Sequence, residues 1–92
     1  MIGMTDLRNR AEPPAAPLLH ALWLGLRGEW TAAHEIAQAH DDANAAWVHA
    51  WLHRIEGDES NAAYWYRRAG KEVGQGSTDA EGEAIARTLS DR

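Results

Sequence analysis

The 92-residue chain contains no cysteine and no phenylalanine, and only three prolines. Without cysteine there is no disulfide, no thiolate nucleophile and no cysteine-ligated zinc site, which fits a reducing compartment and makes the cytoplasm the expected location. Long apolar runs are missing as well. The strongest, Leu18 to Leu26, is broken by His20 and Gly25 and is far shorter than the roughly 20 residues that a membrane-spanning helix needs. Met1 to Arg10 lack the apolar segment of a secretory signal, so a soluble protein without a membrane partner is expected. Positive charge is scarce too, with 9 Lys and Arg against 14 Asp and Glu and a net charge of −5. Between positions 29 and 61, Glu29, Glu35, Asp41, Asp42, Glu56, Asp58 and Glu59 face only Arg54. Such a surface repels polyanions, and the one small basic cluster, Arg67, Arg68 and Lys71, is narrower than a phosphate-backbone site requires, so nucleic acid is not an expected partner.

Five tryptophans and two tyrosines, within a hydrophobic fraction of 45%, suit one compact domain. The stretch Ala46 to Gly70 organises it. Trp47, Val48, Trp51, Leu52 and Ile55 recur at spacings of three and four, and Ala62, Trp65, Tyr66 and Ala69 do the same after a break at Glu56-Gly57-Asp58. Glycine closes one helix in the left-handed conformation and aspartate caps the next, which predicts helices over about 43–56 and 59–70. Upstream, Met1 to Ala11 reads as a flexible or loosely docked arm, followed by a stiff proline-rich lead-in to position 16. Pro17 suits the first turn of a helix over about 17–27, whose stripe is Leu18, Leu19, Leu22, Trp23 and Leu26, with Gly25 admitting a close neighbour. Gly28 ends it. Thr31 is the expected N-cap of a helix reaching about Ala39, with Ala33, Ile36, Ala37 and His40 on its buried face and Trp30 across its entrance as a hydrophobic staple. Thr78 and Glu81 form a capping-box pattern that opens a last helix to about Ser90, with Ala84, Ile85 and Leu89 on its narrow stripe.

Superposing Gly28 on Gly57 brings His20 onto His49, Leu22 onto Trp51, Leu26 onto Ile55 and Ala33 onto Ala62, a period of 29 residues. Each half is helix, glycine turn, helix, and neither buries its apolar face alone. Gly57, Ala62, Tyr66 and Ala69 stand at spacings that resemble those of tetratricopeptide repeats, and Ala62 to Ala69 is similar to the signature of Sel1-like repeats. The first hairpin is degenerate: Gly28, Ala33 and Ala37 fit, but Ala37 replaces an aromatic and His40 a small residue. The whole chain also resembles small bacterial proteins with a WVHA…HRxEGD…NAxYWYRRAG pattern. The expected fold is thus all-α, a short tetratricopeptide- or Sel1-like array of two αα-hairpins with a C-terminal capping helix, as one domain over 17–92. The resemblance implies a non-catalytic adaptor or scaffold that holds a peptide or protein partner, with no cofactor.

Candidate contact residues are Tyr64, Arg67 and Arg68, with Trp47 and Trp30 as partly exposed aromatics, since tyrosine, tryptophan and arginine are enriched at binding hot spots. The alternative for the arginines is a solvated layer whose stems cover aromatic faces. Trp51, Trp65 and Trp23 are expected in the core. Self-association into a homodimer through an open apolar end is a specific version of the adaptor reading. A rival reading is a metal-binding protein or metal-dependent enzyme. His49 and His53, four apart on one helix, point the same way and can share a zinc or nickel ion, with His20 or Glu56 as a third ligand. Against it, the chain has no HExxH arrangement, and the pair equally suits a hydrogen-bonded helix seam. His34 and His40 are expected to be ordinary surface or seam residues. Acid-base catalysis has little to rest on. Asp42, Asp58 and Glu59 sit where helix starts place acids, Ser60 and Thr31 read as helix-start residues rather than nucleophiles, and Gly74-Gln75-Gly76 is too short for a phosphate loop.

Overall fold

The structure is a computed structural model that describes residue 7 and residues 9–90. Among them it is all-α, with five helices and no strand: α1 (Pro17–Leu26), α2 (Trp30–Gln38), α3 (Ala43–Ile55), α4 (Glu59–Ala69) and α5 (Thr78–Ser90). α1 packs on α2 and α3 on α4, α2 lies against α3, and α5 packs on both α1 and α3. No helix among the described residues is long and apolar enough to cross a membrane.

The two short turns that create the helix pairs are built by glycine. Gly28 and Gly57 both have φ near +85°, a conformation that a side chain would oppose. Asp42 and Asp58 then cap α3 and α4, their carboxylates accepting from the backbone N–H of Ala45 and Asn61. Two expected caps differ. α2 begins two residues early, at Trp30, with Glu29 rather than Thr31 at the cap position. At α5 the capping side chain is Ser77, whose hydroxyl accepts from Ala80 N–H. Glu81 does not close a box with Thr78, because its carboxylate takes a bond from the Arg54 guanidinium at 2.7 Å and another from the Tyr66 hydroxyl. A buried phenol and a partly buried guanidinium are stronger claimants than a backbone N–H at a solvated helix end.

The core centres on Trp51, which is fully buried with Leu22, Val48, Leu52 and Ile85 around it. Its ring lies between two glycines. A Cβ at Gly25 would meet the ring at 2.6 Å, and one at Gly82 would meet it at 2.5 Å. Gly25 is therefore the close-approach position that the sequence suggested, and Gly82 is its unforeseen counterpart on α5. The Trp51 indole N–H donates to the Thr78 carbonyl at 2.8 Å, tying the start of α5 to α3. The buried residues of α5 are Gly82, Ile85 and Ala86, so its inward face is turned relative to the expected Ala84, Ile85, Leu89 stripe. Tyr66, Ala50 and Ala62 form a smaller second core between α3 and α4.

The segment ahead of α1 is held in place where it is described. Leu7 is buried in the main core, its N–H donates to Glu83, and the Arg10 carbonyl accepts from the Trp23 indole and from Arg27. The expectation of an arm at the extreme N-terminus otherwise falls on residues 1–6 and 8, outside the described residues.

Candidate functional site

α3 presents two unlike faces. Val48, Trp51 and Leu52 turn into the apolar core, while His49 and His53 turn toward α2 and α4. Four-residue spacing places both imidazoles on one side, their centroids 4.9 Å apart. The third member of the group is His34 on α2. Its Nε2 lies 2.9 Å from His49 Nε2, one ring donating and the other accepting. One ring nitrogen from each of His34, His49 and His53 lies within 4.8 Å of the others. His20, expected as the third histidine, instead sits against Trp23 on α1. Glu56, the other expected third ligand, approaches from outside, with its Oε2 2.8 Å from His53 Nδ1.

Aromatic rings hold the imidazoles. Trp30 stacks on His34 at 4.7 Å and 11°, and Trp65 stacks on His49 at 3.9 Å and 12°. The Trp30 indole N–H donates to the Leu52 carbonyl at 2.6 Å, pinning the entrance of α2 to α3. Trp30 thus lies over His34, one turn further along α2, and belongs to the histidine cluster rather than to a contact surface with Tyr64. Trp65 is half-buried in this seam against the second core, and Trp23 is half-buried beneath Arg27 against the main one, so each sits at the margin of the core rather than inside it. His40 is exposed rather than on the buried face of α2.

Burial drives the proton affinity of the cluster down. The His49 imidazole falls to about 4, first through desolvation and then through His34 and His53 beside it. His34 is lowered for the same reasons, desolvation first and His53 next, opposed by Glu56 and Glu35. Both are neutral imidazoles at pH 7, each with a lone pair.

The second feature lies on the outer face of α4. Tyr64 is one of two large hydrophobic residues left exposed among the described residues, and basic groups ring it. The Arg67 and Arg68 guanidinium carbons stand 6.0 and 5.8 Å from its centroid, and Arg68 Nη1 donates to its hydroxyl at 3.2 Å. Arg68 also covers Trp65 at 5.0 Å, and the Lys71 ammonium lies 4.2 Å from the centre of the Trp47 ring. Of the candidate contact residues, the fold therefore gathers Tyr64, Arg67 and Arg68 on α4, places Trp47 of α3 beneath Lys71, and sets Trp30 against His34. A cleft of about 310 Å³ at the α2–α3 turn borders both features, lined by His40, Asp41, Asp42, His49, Trp65 and Arg68 among others.

His34 was not singled out from the sequence, because the repeat places nothing equivalent opposite it. The usable signal was local. Trp30, His34 and Ala37 follow one another at four and three residues, so a buried Ala37 carries His34 with it into the α2–α3 seam. In comparisons with known proteins, the chain matches no family model, no curated protein and no solved structure.

Proposed function

We propose that the chain is a non-catalytic interaction module of the tetratricopeptide or Sel1-like type, acting in the cytoplasm, that docks an acidic segment of a protein partner along α4. The observation that supports this reading is the exposed Tyr64 with Arg67 and Arg68 already set over its ring. Cations held against aromatic faces have given up part of their rotamer freedom before any partner arrives, which lowers the entropic cost of docking. Their charge also stands out against a chain of net charge −5, so an acidic segment is steered to this strip and repelled elsewhere. A homodimer is the version in which a second copy supplies the acid, from Asp41 and Asp42 or from Glu56, Asp58 and Glu59.

Fluorescence anisotropy with a dye-labelled, glutamate-rich peptide carrying one aromatic residue tests the reading. Saturable binding is expected that weakens with salt and is lost in the Arg67→Glu, Arg68→Glu variant, while Arg87→Glu on α5 retains it. Equal loss from Arg87→Glu would reduce the effect to net charge and remove the strip. Sedimentation over a range of concentrations decides the homodimer version, which a constant monomer mass excludes.

A further inference from the structure

The interaction reading makes no use of His34, His49 and His53, three imidazoles from two helices that meet in a partly buried seam. We propose that these three residues form a binding site for one divalent transition-metal ion of the zinc, nickel, cobalt or copper class, with Glu56 as the positioning residue for His53.

Donor geometry is the first support. Three nitrogens lie within 4.8 Å of one another, the tightest pair at 2.9 Å. Nitrogen ligands at about 2.0–2.1 Å from a tetrahedral zinc stand about 3.3–3.4 Å apart. An ion therefore needs the donating ring to carry its proton on Nδ1 instead, so that both Nε2 lone pairs face inward, and it needs His34 and His49 to part by a few tenths of an ångström and His53 to swing inward. Both are side-chain movements within a seam whose helices are already in contact.

The second support is the surroundings of His53. A ligating histidine usually passes its other ring N–H to a carboxylate, which sets the tautomer and raises the basicity of the coordinating nitrogen. Glu56 accepts from His53 Nδ1 at 2.8 Å, leaving the Nε2 lone pair for a metal. The carboxylate also places a negative charge beside a site whose three imidazole ligands carry none, offsetting part of a divalent charge. Trp30 and Trp65, stacked on His34 and His49, restrict how far those rings can turn.

The donor set decides the class of ion. Imidazole suits zinc, copper, nickel and cobalt, whereas calcium and magnesium demand oxygen ligands. Three protein ligands leave a fourth position for water or an exchangeable ligand. Because His34 lies on α2 and the other two on α3, the ion cross-links the two helix pairs, and it stabilises the folded chain in proportion to its occupancy.

The test uses full-length chain with no affinity tag, stripped with chelator and titrated with Zn(II) by calorimetry and with Co(II) by visible absorption. Expected are one equivalent per chain, a Co(II) band of tetrahedral intensity, and a melting temperature that rises with metal concentration. His34→Gln, folded by circular dichroism, should lose at least about a hundredfold in affinity, and Glu56→Gln about tenfold with the stoichiometry unchanged. His20→Gln and His40→Gln should bind as the wild type does. A wild type that takes up neither metal overturns the site and leaves the cluster as a packed imidazole seam. Uptake that survives His34→Gln, or that is lost equally in His20→Gln, overturns it as well.

Discussion

The two faces of α3 solve the same packing problem with different chemistry. On one side Trp51 fills a slot between Gly25 and Gly82, and the match of ring to glycine leaves no room for another atom. On the other side His49 and His53 meet His34 between two tryptophan rings, in a group of imidazoles that bond to one another and to Glu56. The first face is closed by shape. The second is closed by directional contacts, and its lone pairs can be handed to a cation. Apolar complementarity can only stabilise the fold, whereas imidazoles packed together keep a chemical use.

The comparison is broken most severely on the apolar side. Trp51→Ala removes the largest fully buried side chain and the bond to Thr78, and should destabilise the chain by about 3–5 kcal/mol in urea unfolding. Gly82→Ala sets two effects against each other. Alanine gains up to about 1 kcal/mol of helix propensity, but its methyl would stand 2.5 Å from a buried, rigid indole, and overpacking of that kind costs about 1–3 kcal/mol. Net destabilisation is expected. An increase in stability would mean that the Trp51 slot is looser than described.

Tyr66→Phe is the next smaller perturbation, because it takes away the hydroxyl that donates to Glu81 while leaving the ring in place. The loss should be about 1–2 kcal/mol, with Arg54 still paired to the carboxylate. A neutral result would show that the Arg54 bond alone satisfies Glu81.

On the imidazole side the effect follows pH. The His49 imidazole lies at about 4 in the folded metal-free chain, against 6.5 for the unfolded reference. Above pH 6.5 the ring is neutral in both states and its full contribution is present. As the pH falls from 6.5 toward 4, the unfolded chain takes up a proton that the folded chain refuses, so stability declines, and below about 4 the loss from this group is complete. Metal-free His49→Gln should show a shallower decline over that window in melting curves. An unchanged slope would assign the pH dependence to other groups.

The helices were legible in the sequence because their signals are local. Gly28 and Gly57 with Asp42 and Asp58 mark turns and caps within a few residues, and the four-residue spacing of Trp47, Trp51 and Ile55 states a period without reference to anything distant. Gly25 could be read as a close-approach point for the same reason, as a small residue inside a large apolar stripe. The capping pattern of Thr78 and Glu81 was equally local, yet it failed. Glu81 had better partners in Arg54 and Tyr66, which lie 27 and 15 residues away in sequence and which only the packing of α5 brings near.

The candidate site divides along the same line. One helix places His49 and His53 together, and no other part of the chain is needed to see it. Another places Tyr64 beside Arg67 and Arg68. The identity of the third imidazole depends on how α2 lies against α3, and the repeat pointed to His20, which tertiary packing sends to Trp23 instead. By itself the sequence determined the turns, the helices and the two residue groups that share a helix, since those follow from contacts three or four residues apart. The rotation and approach of one helix on another were decided by the tertiary structure, because they depend on side-chain volumes summed over several elements. That packing brought His34 to His49, enclosed Trp51 between two glycines and drew Glu81 away from its own helix end.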